Sequence, residues 1–164
     1  MSTSKLIHWS GLAAILGGVL LIPGSISLEP PWSWLGILGS LLLIFGFMGI
    51  YAVQVEGSGL AGFLGFVLAV PGAVLLVGTG EIGGIEFWML GSFLGAAGFL
   101  LLAIGTLASG KFPHWVPWAW IAAIVVGLPS IFVPSLAQTL GIAGSVLAAL
   151  GMIGAGYTLW SRQG

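Results

Sequence analysis

Apolar runs alternate with short polar breaks along the whole chain. The runs cover about 6–22, 32–53, 59–77, 86–107, 115–133 and 136–160. The breaks are Leu28-Glu29-Pro30-Pro31, Gln54 to Ser58, Gly78 to Gly84, Ser109 to Pro113 and Pro134-Ser135. A run of roughly 20 residues rising 1.5 Å each crosses about 30 Å of hydrocarbon. A backbone in lipid must close its own hydrogen bonds, so each run is predicted to be a transmembrane helix. The period-two alternation of a membrane barrel is absent. The pattern predicts an all-α membrane protein, a six-helix bundle forming a single transmembrane domain over residues 1–164.

Composition strengthens this. Apolar residues make up 59% of the chain and charged residues 4%, against roughly a quarter charged in soluble domains. The mean hydropathy is +1.20. Six spans place Lys5, Lys111 and Arg162 on one side and Glu29, Glu81 and Glu86 on the other. Basic loops face the cytoplasm, so both termini are expected there. Glu56 is the acidic residue of that side. Trp9, Trp115, Trp118 and Trp160 mark one interface, and Trp32, Trp34 and Trp88 the other. Lys5 followed by an apolar run has the look of a signal peptide, but no small-residue cleavage site follows it. The first span is therefore expected to be retained.

The runs also repeat. Lys5 to Pro23 and Lys111 to Pro129 share Lys, two residues, His-Trp, thirteen residues, Pro, with seven of nineteen positions identical at an offset of 106. Gly11 to Gly24 matches Gly59 to Gly72 at nine of fourteen, offset 48. Gly36 to Gly49 matches Gly141 to Gly154 at seven of fourteen, offset 105. Gly98 to Gly105 joins more weakly to Gly39 to Gly46. These matches predict three helical-hairpin repeats, related by an axis near the membrane normal. Pro23, Pro71 and Pro129 then occupy equivalent places and are expected to bend the odd spans.

Lipid tails are as apolar as leucine, so close backbone approach must hold the helices together. Gly62, Gly65 and Gly72 share one stripe of the third span, Gly91, Gly95, Gly98 and Gly105 one of the fourth, and Gly141, Gly144 and Gly151 one of the sixth. Tight packing with little room between helices is expected, and leucine at Gly95 or Gly151 is expected to disrupt it.

Candidate chemistry is sparse. There is no Cys, Asp or Asn, which removes thiolate sites, aspartate mechanisms and Asn-linked glycosylation. A net charge of −1 offers nothing to nucleic acid. Glu29, Glu81 and Glu86 form an acidic group that could collect a divalent cation, although solvated loop charges are the blander reading. His8 and His114 could ligate haem or a metal, although an interfacial belt beside Lys explains them as well. The glycine-rich loop Gly78 to Gly84 follows no strand of a βαβ unit and is no nucleotide site. No ionisable residue lies at the midplane, where pumps and coupled transporters carry one. No cofactor is expected.

The run ending Ala108-Ser109-Gly110-Lys111-Phe112-Pro113-His114-Trp115, and the close Gly156-Tyr157-Thr158-Leu159-Trp160-Ser161-Arg162, resemble a loose set of uncharacterised small multi-pass membrane proteins of bacteria and archaea. The resemblance implies a prokaryotic inner-membrane protein and no particular activity. The resulting expectation is a non-enzymatic membrane protein. It would serve as a structural subunit or assembly partner, with the lipid bilayer and other membrane subunits or its own copies as partners. The alternative is a small permease or channel for an apolar or weakly polar solute, which requires a cavity open to one side and lined by Ser and Thr.

Overall fold

The computed structural model describes residues 3–27, 29–77 and 80–161. Arg162, one of the three basic residues used to orient the chain, lies outside them, as do Leu28, Gly78 and Thr79. Six helices form: α1 Thr3–Gly24, α2 Trp32–Gln54, α3 Gly59–Val77, α4 Phe87–Ser109, α5 Trp115–Gly127 and α6 Ala137–Ser161. Five are long and apolar enough to cross a membrane. This is a multi-pass helical membrane protein.

The fifth run departs from the expected 115–133. Helix α5 stops at Gly127 and continues as a 3-10 turn over Leu128–Ile131. Pro129 lacks the donor that would close the next α-helical bond, and its ring crowds the preceding turn. The 17 apolar residues Trp115–Ile131 still reach about 27 Å, because a 3-10 turn rises about 2.0 Å per residue. Pro71, by contrast, lies inside a helix that runs on to Val77, while α1 ends at Gly24, directly after Pro23. A second 3-10 turn, Pro134–Leu136, leads into α6. The glycine-rich loop holds a two-residue hairpin, β1 Glu81–Ile82 against β2 Ile85–Glu86, turned by Gly83 and Gly84 with φ of 61° and 80°.

Consecutive helices pack side by side, and α6 returns to α1, so the six close into a ring. Helix α2 also touches α4 and α6, which draws the even helices toward the axis. The direction of each helix follows from its contacts. Gly11 lies against Gly156, and Gly49 against Ser10. Gly57 lies against Ser109, and His8 stacks on Trp160. One end of the bundle therefore gathers Lys5, His8, Glu56, Lys111 and His114. The other gathers Glu29, Glu81 and Glu86. We call these the lysine end and the glutamate end.

Within each hairpin the helices touch through glycine at matching heights. A Cβ on Gly39 would lie 3.2 Å from Leu21 N, one on Gly98 2.7 Å from Ala69 Cα, and one on Gly144 2.6 Å from Gly127 Cα. One level nearer the lysine end, Gly46 meets Ala14, Gly105 meets Gly62, and Gly151 meets the indole of Trp120. From the first hairpin to the second these contacts shift by 48 residues on the odd helix and 59 on the even one. To the third they shift by 106 and 105. These are the offsets that align the sequence.

The large buried side chains sit in the lysine half. Phe47 and Ile50 of α2 join Leu102 of α4, Val116 and Trp120 of α5, and Met152 and Leu159 of α6. An aromatic chain crosses this core near mid-bundle, with Phe47 edge-on to Phe99 at 5.3 Å and Phe99 edge-on to Trp120 at 5.9 Å.

Candidate functional site: a serine-lined cavity in the glutamate half

Above the aromatic chain the bundle opens. A cavity of about 240 Å³ lies between α4, α6 and the stretch where α5 becomes a 3-10 turn. It exists because facing positions carry no side chain. A Cβ on Gly95 of α4 or on Gly141 of α6 would meet nothing within 4 Å. Among the described helix glycines only Gly59, the first residue of α3 with a φ of 57°, shares such open surroundings. Gly127 and Gly144 continue the wall and lie against each other. Phe99 forms part of the floor, where the aromatic chain closes the cavity toward the lysine half.

Three hydroxyls line this space: Ser92 of α4, Ser130 of the 3-10 turn and Ser145 of α6. Ser92 Oγ donates to the Trp88 carbonyl at 2.8 Å, which leaves its oxygen able to accept a bond from a guest. No ionisable residue belongs to the lining. Such a wall can hydrogen-bond a small neutral molecule against an apolar surface. It provides no acid, base or activated nucleophile.

The expected packing is thus present in part. The glycine stripes on α3 and α4 do meet, with Gly72 facing Gly95 and Gly105 facing Gly62. The expectation of little room throughout is corrected in the glutamate half. At Gly95 in particular, a larger side chain would enter open space rather than a neighbouring backbone.

The candidate ligands read from sequence are placed as follows. Glu81 and Glu86 are cross-strand partners in the small hairpin, both exposed, and the Glu86 carboxylate accepts from Trp88 Nε1. Glu29 is exposed in the α1–α2 connection, where its backbone N–H donates to Ser27 Oγ. His8 stacks on Trp160 with ring centroids 3.6 Å apart, while His114 is exposed at the start of α5. Among the described residues no three such side chains are grouped to hold a metal ion. The seven tryptophans assigned to interfaces are all partly or well exposed, as membrane-boundary residues are.

Two features escaped the sequence reading. Gln54 and Ser58, which read as a polar turn, are buried at 0% and 2% exposure beside Thr106 at 1%. Thr106 Oγ1 donates to Gln54 Oε1 at 2.7 Å, joining α2 to α4. The second is Trp120, which is wholly buried and lies on Gly151. The sequence alignment at an offset of 106 pairs it with Ala14, which is also wholly buried. Compared with protein-family models, with curated proteins and with solved structures, the chain finds no match.

Proposed function

We propose that this protein binds a small, neutral, weakly polar solute in the cavity of its glutamate half and acts as a small permease or membrane binding protein. The observation that carries the reading is the open space at both Gly95 and Gly141, ringed by Ser92, Ser130 and Ser145. A structural or assembly subunit would be expected to keep spare glycine on faces turned to lipid, for a partner helix to meet. Gly59 begins α3 with a left-handed φ, and the two open glycines of helix interiors belong to the cavity, so the geometry favours the solute. The cavity is blind at the aromatic chain of Phe47, Phe99 and Trp120, and passage of a solute requires that chain to move.

The wider frame belongs to the same proposal. Three hairpin repeats are supported by the matching contact offsets, and cytoplasmic termini by Lys5 and Lys111 sharing one end of the bundle. The site of residence is a prokaryotic inner membrane, and the lipid bilayer is the principal partner.

The test is solute entry into proteoliposomes followed by light scattering, with glycerol as the neutral hydroxylic probe. The wild type should admit glycerol faster than protein-free vesicles, and Gly141→Leu should abolish the difference. Equal rates for the wild type and Gly141→Leu would remove the reading. Because the chain has no Cys, Lys5→Cys and Lys111→Cys give single labelling sites. Both should react from the same face of sealed vesicles.

A further inference from the structure

A second hollow lies at the opposite end of the molecule, on the outer surface of the first hairpin. It is a groove of about 300 Å³ between α1 and α2. Leu6 and Trp9 wall it on one side, Phe45 and Met48 on the other, and Ala13 and Gly49 keep its floor low. Ser10 also borders it, but its Oγ donates back to the Ile7 carbonyl at 2.6 Å. The groove therefore offers almost no polar group along its length.

Its dimensions and its end point to the occupant. On α2 it runs from Leu42 to Ala52, ten steps of 1.5 Å or about 15 Å, which is one leaflet of a hydrocarbon layer about 30 Å thick. It ends at the lysine end, where Lys5 is exposed one residue before Leu6. Lys5 belongs to the first turn of α1, so its positive charge lies at the level of the lipid headgroups. Anionic headgroups are drawn to basic residues at this depth.

The third hairpin makes a useful contrast. Under the offsets of 106 and 105, Trp9 corresponds to Trp115 and Gly49 to Gly154. The ring of Trp115 lies directly on Gly154 and covers it. In the first hairpin the small Ser10 covers Gly49 instead, and Trp9 is left to wall the open groove.

We propose that the α1–α2 groove seats one acyl chain of an anionic phospholipid, with its phosphate against Lys5. The full-length protein, reconstituted in nanodiscs of equal phosphatidylglycerol and phosphatidylcholine with matched chains, provides the test. Native mass spectrometry then reads the lipids retained on release. The wild type should retain phosphatidylglycerol over phosphatidylcholine by about fivefold, the ratio one lysine contributes at a membrane surface. Lys5→Gln, a surface change that leaves packing alone, should bring that ratio to about one. Ala13→Phe should fill the groove and lower retention of both lipids. Gly141→Leu, at the distant cavity, should change neither, so this site and the solute site stand or fall separately. Equal retention of the two lipids by the wild type would overturn the proposal. So would unchanged retention in Ala13→Phe, or a protein chain found in place of the lipid.

Discussion

In the lysine half, Phe47, Trp120, Met152 and Leu159 reach across the bundle and meet. In the glutamate half, Gly95 of α4 and Gly141 of α6 line a hollow. The same helices thus pack in two ways along their length. Hairpins are tight in both halves, since Gly24 meets Gly36 and Gly72 meets Gly95 near one end as Gly105 meets Gly62 near the other. What differs is the contact between hairpins. Lipid competes equally for apolar side chains, so hairpins associate through close van der Waals contact and buried hydrogen bonds. The lysine half supplies both. The difference assigns cohesion between hairpins to the lysine half.

The largest test of this contrast is Trp120→Ala. It removes the central ring of the packed half and should cost about 3–5 kcal/mol, read as loss of monodisperse protein after mild heating in detergent. Next is a matched pair of glycines on one helix. Gly151→Leu would drive a side chain into the Trp120 indole and should destabilise by about 3 kcal/mol. Gly141→Leu enters the cavity and should leave the unfolding midpoint unchanged or raise it. Equal destabilisation by both variants would break the comparison.

A smaller effect is expected at the polar junction. Thr106→Val keeps the shape but removes the donor to Gln54, for a loss of about 0.6–1.7 kcal/mol, the range of interhelical hydrogen bonds in membrane proteins. The loss should disappear in a Gln54→Leu background, which a double-mutant cycle in thermal unfolding would read. Smallest is Phe132→Ala at the glutamate end. Phe132 is two-thirds exposed, so the change should stay within about 0.5 kcal/mol by the same measurement.

The periodic reading located the elements well where hydropathy alone decides. Helices α2 and α3 were expected over 32–53 and 59–77 and form over Trp32–Gln54 and Gly59–Val77. It erred at Pro129, where proline turned the end of an expected α-helical span into a 3-10 turn. It also erred at Gln54 and Ser58, which looked like solvated turn residues. Polarity in a short break reads as exposure, yet here both side chains are buried and Gln54 accepts a hydrogen bond from Thr106. The cavity was legible only as a surplus of glycine. The stripe on α4 predicted a contact face, and Gly98 and Gly105 do touch α3, while the Cβ direction of Gly95 points into the hollow.

Apolar length and scarce charge were enough to establish a helical membrane protein. Which apolar side chains turn inward was settled by packing alone. Trp120 and Trp118 stand two residues apart in one helix, the first wholly buried and the second well exposed. In water such a pair would be sorted by burial, but a hydrocarbon solvent welcomes either ring. Hydropathy along the chain therefore carries no sign distinguishing core from lipid face, and that choice falls to the contacts between distant helices.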